Sequence, residues 1–322
     1  MNSKAITAAV GAVLLCVGGV SWAAFPERPI RILVPFPPGG GNDALIRSIT
    51  PKLSESLGQT IVVDNRGGAG GNIAAEATAK ATPDGYTLLM GFSTVLTTNK
   101  SLYKNVGFDP IKDFAPITQL ATAQYLLVVH PSVAARDVKQ LVALAKAKPG
   151  SLSYASSGVG TPLHLAAELF KRQAGVDIVH IAYKGGGPAA IAMLSGEVQL
   201  AFSSMAAAMG HVQTGKLRAL GVTSLKRSSL APDVPTLDES GFKGFNVTAW
   251  GSLVAPAGTP RPVINLLNEK TNAVLRLPEI RTLVGNVGYD ATGTTPEQLW
   301  QLIRSESETW AQVIKDANIR AD

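Results

Sequence analysis

From residue 30 onward the hydrophobic and polar positions follow two alternating regimes. Short apolar, β-branched runs bounded by Gly, Pro, Asn or Ser predict strands over 30–34, 61–63, 87–90, 125–129, 179–182, 200–202, 217–222 and 251–254. Between them, apolar residues recurring every three or four positions predict helices over 43–57, 73–80, 138–147, 162–174, 188–195 and 206–214. This succession is that of an α/β fold with mostly parallel strands. The last quarter differs, with helices predicted over 262–275, 279–287 and 296–317 and little strand between them. The last helix has a well-marked start: Thr295 can cap it, Pro296 suits its first turn, and Gln298 completes a capping box.

The pattern before residue 30 is of another kind. Lys4 precedes an apolar run over 5–20, which small residues Ser21, Ala23 and Ala24 then interrupt around Trp22. That order predicts a cleavable secretory leader over 1–23, with Ser21 and Ala23 at the −3 and −1 positions. The run is shorter than the ~20 residues of a membrane span. Cys16 follows Leu15, where lipid attachment requires a small residue, and it is the only cysteine of the chain. A periplasmic location is therefore expected, for a protein with no thiol chemistry once the leader is removed.

Length adds a prior of two domains for the rest of the 322 residues. No Ser/Gly/Pro tract separates them. The irregular stretch 228–245, with Pro232 and Pro235, suggests a return path, giving a discontinuous first domain over 25–125 and 226–322 and a second over 126–225. The 29 Lys and Arg outnumber the 23 Asp and Glu, for a net formal charge of +6. The basic residues are scattered without blocks or aromatic interleaving, so no nucleic-acid partner is expected. A mild positive surplus favours the approach of small anions.

Three Gly- or Ser-rich turns lead straight into a helix, the first and third of them directly from predicted strands. The first turn, Pro35-Phe36-Pro37-Pro38-Gly39-Gly40-Gly41, leads to Asp43; the second, Ser156-Ser157-Gly158-Val159-Gly160-Thr161, leads to His164; the third, Tyr183-Lys184-Gly185-Gly186-Gly187, leads to Pro188. Unpaired N–H groups at a helix start, with the positive end of its dipole, suit a carboxylate or phosphate. In open α/β sheets ligands bind beyond the carboxyl ends of strands. The hydroxyls of Ser156, Ser157 and Thr161 add donors, and Lys184 is the one cation of these turns. Each feature also has a plainer reading: tight turns at the glycines, a dipole-stabilised Asp43, a buried structural His164 and a solvated Lys184. The cluster 66–72 reads as structural.

Enzyme signatures are missing. There is no phosphate-binding Gly-x-x-x-x-Gly-Lys-Ser/Thr, no dinucleotide Gly-x-Gly-x-x-Gly and no Gly-x-Ser-x-Gly elbow. His130, His164, His180 and His211 are dispersed and pair with no second ligand at metal spacing. Neither a metal nor a catalytic residue is assigned.

Read in order, these motifs resemble those of a known family. They comprise Pro35 to Gly40 with Asp43 and Arg47, Val63-Asp64-Asn65-Arg66-Gly67-Gly68-Ala69-Gly70-Gly71, Pro83-Asp84-Gly85-Tyr86, Ser157 to Thr161 with His164, Tyr183-Lys184-Gly185, and Pro232-Asp233-Val234-Pro235-Thr236. The chain resembles the extracytoplasmic solute receptors of tripartite tricarboxylate transporters, the Bug family, along essentially all of its length after the leader.

That resemblance implies a two-domain, type II-like periplasmic binding protein that closes like a Venus flytrap on a ligand cleft. No cofactor is implied. The partners implied are a small carboxylate, held by backbone groups and ordered waters, and a membrane permease of one large and one small subunit. By position it implies Phe36, Pro38, Gly39 and Asp43 as contacts from one domain, and Ser157, Thr161, His164, Tyr183 and Lys184 from the other. With Gly40, Ser156 and Gly185 from the turns themselves, these make up the candidate ligand site. Ala182 and Gly67 stand where the family often has proline.

The receptor is expected to act as a monomer. With no arginine in the turns, the expected ligand is a mono- or dicarboxylate with an apolar or aromatic body, packed near Phe36, Phe92 or Met205. A periplasmic sensor module and an enzyme using His164 with a serine are the alternatives.

Overall fold

The structure is a computed structural model and describes residues 25–183, 185–228 and 230–320. The expected leader and Lys184 lie outside the described residues. In chain order the elements are β1 (Ile30–Val34), α1 (Gly41–Leu57), β2 (Ile61–Asn65), α2 (Asn72–Ala79), β3 (Thr87–Phe92), α3 (Ser93–Thr97), α4 (Asn99–Leu102) and β4 (Phe114–Val129). There follow α5 (Val138–Ala147), β5 (Ser153–Ser156), α6 (Pro162–Ala174), β6 (Val179–Ala182), α7 (Gly186–Ser195), β7 (Leu200–Ser204), α8 (Met205–Gln213) and β8 (Arg218–Val222). The chain ends with β9 (Thr248–Pro256), α9 (Arg261–Leu275), α10 (Pro278–Asn286), β10 (Asp290–Ala291) and α11 (Pro296–Asp316).

The α/β class is as expected, but the sheet is mixed rather than mostly parallel. Its strand order is β2-β1-β3-β9-β4-β7-β5-β6, with β8 and β10 also paired to β4. Helical crossovers give the parallel pairs β1–β2, β1–β3, β5–β6 and β5–β7. Around β4 every pairing is antiparallel. The reason lies in the path of the chain, because β4 carries it from one half of the sheet to the other without a helical crossover. Residues up to Gln124 pair with β9, and from Tyr125 onward the strand pairs with β7 and β8. The way back, from β8 to β9, runs beside it.

Each half of the sheet is covered on both faces, so four apolar clusters form. In the first half, Leu45, Ile49 and Leu267 pack under α1 and α9, while Leu33, Trp250 and Leu299 fill the opposite face. In the second half, Leu141, Phe170 and Trp310 form one layer and Met193, Ala208 and Val222 the other. The return segment lies on the second half: Leu237 and Phe245 are fully buried in the cluster of Phe170, and Thr236 bridges to Val222. Helix α11 belongs to both, with Leu299 and Ile303 in a first-half cluster and Trp310 and Val313 in a second-half one. It starts with the predicted capping box of Thr295 and Gln298. Among the described residues no helix is long and apolar enough to cross a membrane.

Candidate functional site

The β1–α1 turn is held by one carboxylate. Asp43, buried in the first turn of α1, accepts the Gly39 N–H at 2.9 Å, the Arg47 Nε at 2.8 Å and the Asn65 Nδ2 at 3.0 Å. Asn65 also donates to the Phe36 carbonyl at 3.0 Å, and Arg47 Nη2 donates to Asn65 Oδ1. Burial alone would raise the Asp43 pKa. The hydrogen bonds from Gly39, Asn65 and Arg47, with the Arg47 charge, hold it below the usual carboxylate range. Asp43 thus shapes the turn, while Gly39, at φ +86°, adopts a backbone that other residues rarely reach. Gly40 stands at the helix cap and offers no capping side chain, so the first-turn N–H groups of α1 have no side-chain acceptor.

On the second half of the sheet, the β5–α6 and β6–α7 turns are joined to each other. Tyr183 N–H donates to the Ser156 carbonyl at 3.0 Å, and Gly185 N–H to the Ser157 carbonyl at 3.2 Å. Helix α7 starts like α1: Gly185, at φ +106°, caps it without a side chain. Helix α6 does not, since Thr161 Oγ1 accepts the His164 N–H and donates to the Gly158 carbonyl. His164 Nδ1 accepts the Gly160 N–H at 3.0 Å. The Ser156 hydroxyl meets Gly158 and lies 2.7 Å from His180 Nε2. Of the three hydroxyls predicted as donors, Ser157 alone is left unengaged among the described residues. Tyr183 turns its hydroxyl to Glu197, at 2.9 Å.

Behind these turns, the rings of Tyr154, His180 and His164 lie stacked, the two imidazoles 4.0 Å apart. Burial and the neighbouring His180 push the His164 pKa down to about 4, and burial lowers that of His180. Both rings are therefore neutral at pH 7. Ser156 is only 2% exposed, and Glu168 accepts from Tyr154 and Lys171 rather than from either histidine. The ladder stiffens the turn from within. No group of three or more metal-ligating side chains occurs among the described residues.

Two chains of contact connect the turns of the first half to those of the second. Phe36 meets Phe92 edge-on with ring centroids 5.5 Å apart, and a Cβ placed on Gly160 would lie 3.3 Å from Leu102, in α4. On the other side, Tyr289 lies against Gly41 and donates to Asn42 Oδ1 at 3.0 Å, while Gly288 approaches Ala206 at the start of α8. Sequence reasoning missed Tyr289, which stands alone in an irregular stretch. It also missed a fourth strand-end turn, Ser203-Ser204, where Ser204 caps α8 by accepting the Ala207 N–H. Serine before an apolar helical run was a legible cap signal there, but no glycine or proline drew attention to it. Below Ser157, Ser203 and Ser204 a mainly apolar cavity of about 250 Å³ enters the second half of the molecule. Phe92 is half-buried beside the first turn and Met205 is buried in the core under α8.

The chain is similar to known proteins along almost its whole length. A protein encoded between tcbD and tcbE in Pseudomonas sp. strain P51 is 41% identical over 93% of this chain and 89% of its own length. Among solved structures, R. palustris Rpa4515 with adipate is 35% identical, covers 92% of this chain and 99% of its own, and superposes with a TM-score of 0.74. The periplasmic binding protein BugD is 34% identical over 92% of this chain and 99% of its own, with a TM-score of 0.71. Residues 45–319 match the family described as the tripartite tricarboxylate transporter family receptor. The resemblance read from the turn motifs and the α/β binding-protein fold expected from it are both borne out, and the chain belongs to this family of solute receptors.

Proposed function

We propose that the protein is a periplasmic receptor that captures a small carboxylate between two lobes and delivers it to a membrane permease of one large and one small subunit. One observation carries this reading. Two helices, α1 on one half of the sheet and α7 on the other, each begin at a glycine with no capping side chain. Their first-turn N–H groups and dipoles favour an anion; the contacts of Phe36, Leu102 and Tyr289 run from the turn before α1 to the β5–α6 turn and the start of α8, and the β5–α6 turn is hydrogen-bonded to the turn before α7.

The lobes meet where β4 changes partners at Gln124 and Tyr125 and where the return segment re-enters β9. In the proposed site, Phe36, Pro38, Gly39 and Gly40 form one wall, and Ser157 and Gly185 the other. Asp43, Ser156, Thr161 and His164 set the shape of the turns from behind, and Tyr183 packs on the apolar layer of Met193. The adipate carried by the R. palustris relative supports a carboxylate ligand.

Titration calorimetry on the chain lacking residues 1–23, with adipate, malate, citrate, benzoate and hexanoate, tests the reading. At least one acid should bind and be recovered unchanged, with compaction in small-angle scattering, because only contacts better made in the closed form can drive closure. Absence of binding by every acid overturns it. Conversion of the acid would assign an enzyme instead.

A further inference from the structure

The 250 Å³ cavity below the second-half turns has a polar mouth, an apolar wall and a polar far end. Ser157, Ser203 and Ser204 lie at the mouth, at the carboxyl ends of β5 and β7. The wall is made by Ala201 from the sheet and by Met193 and Leu194 from α7. At the far end is His211, in the last turn of α8, whose imidazole has no hydrogen-bond partner among the described residues. Ser204 caps the same helix, so seven residues separate mouth from end, about 10 Å at the rise of an α-helix.

A purely structural void would be apolar throughout and small. This one exceeds the ~150 Å³ in which an apolar protein cavity takes up benzene, and at the end away from the turns it carries the unpartnered imidazole of a half-buried His211. We infer that the cavity holds the body of the ligand: an unbranched aliphatic or single-ring acid whose carboxylate stays at the turns and whose far end carries a hydrogen-bonding group facing His211. The inference rests on the carboxylate-receptor reading and narrows its ligand class. A small multiply charged acid such as citrate would leave the apolar wall empty and would be desolvated there without partners.

The native chain decides the matter by calorimetry with propionate, butyrate, hexanoate and octanoate, and with 6-hydroxyhexanoate beside hexanoate. Affinity should rise about fourfold per methylene, the value of one buried methylene, and so about sixtyfold from propionate to hexanoate. The 6-hydroxyl should add about fivefold, the worth of one hydrogen bond. Ala201→Leu, which fills the wall, should reduce the hexanoate-to-propionate ratio at least tenfold. His211→Leu should abolish the preference for 6-hydroxyhexanoate over hexanoate.

Equal affinity for all chain lengths overturns the inference while leaving the receptor reading intact. Binding by none of these acids, nor by adipate, malate, citrate or benzoate, overturns both. Should Ala201→Leu fail to fold by circular dichroism, the length series on the native chain still separates these outcomes.

Discussion

Without its carboxylate, Asp43 would leave the Gly39 N–H without its acceptor, and would take one acceptor each from the Asn65 amide, which keeps the Phe36 carbonyl, and from the half-exposed Arg47 guanidinium, which keeps Asn65. A buried donor left without its acceptor costs about 1–3 kcal/mol. Asp43→Ala should therefore lower the melting temperature by several degrees, at roughly 2–4 °C per kcal/mol for a chain of this class. It should weaken carboxylate binding as well, since the turn that presents the N–H groups of α1 loses its brace. Thermal unfolding and calorimetry on one preparation read both effects. His164 carries a second prediction, set by pH. Its folded pKa is depressed to about 4 from an ordinary 6.5, so between these values the unfolded chain binds a proton that the folded chain does not. Its contribution is full above pH 6.5 and is lost as pH falls through that window. His164→Asn should flatten this part of the stability profile relative to the native chain.

Among the elements, α11 carries the least expected chemistry. Its Glu306 accepts the Trp250 indole N–H at 2.9 Å, and burial raises its carboxyl to about 8 against the hydrogen bonds from Trp250 and Trp310. The sign is opposite to that for His164. Between the ordinary 4.5 and 8 the folded chain holds a proton that the unfolded chain has released, so stability falls as pH rises across that range. Glu306→Gln should raise the melting temperature at pH 8 by about 2–5 °C and change it little at pH 4, by differential scanning calorimetry.

Most elements were legible in the sequence because periodicity and caps agreed. Helix α6 and strand β6 have the bounds read from it, and the Thr295 capping box is formed. The first part of β4 was not legible, since Pro116, Thr118, Gln119 and Thr122 interrupt its apolar run. Thr118 is met by the distant Asn272 and Thr294, and Thr122 by the distant Thr292, which no local pattern announces. Strand β5 is four residues long and passed for part of the turn that follows it. For the candidate site, the turns could be located from glycine and proline. The internal bonds that occupy Ser156, Thr161 and His164 could not, because they depend on His180 and on turn geometry.

At the scale of the molecule, the two crossings between the sheet halves lie side by side, tied by backbone bonds from the Thr223 N–H to the Tyr125 carbonyl at 3.0 Å and from the Val247 N–H to the Thr223 carbonyl at 2.9 Å, and by one hydroxyl. Thr223 Oγ1 donates to the Val247 carbonyl at 2.6 Å and accepts the Tyr125 N–H at 3.1 Å. All three residues are buried. Thr223→Val keeps the shape and the backbone bonds and removes the hydroxyl's share of the tie, so it should cost about 1–3 kcal/mol by chemical denaturation. If the lobes turn about this point, the variant should also scatter as a more extended particle without ligand than the native chain does.

Helix α11 sets a bound on that motion. Its 21 residues form a strut about 30 Å long, anchored through Leu299 and Ile303 at one end and through Trp310 and Val313 at the other. Helices curve only gently, over radii of about 60–100 Å. The strut cannot fold at the crossing, so any swing must be taken up by slippage of side chains at one anchorage. If the two jaws close on a guest as proposed, the strut keeps their travel narrow, and part of the energy released on arrival goes into shifting Trp310 and its neighbours.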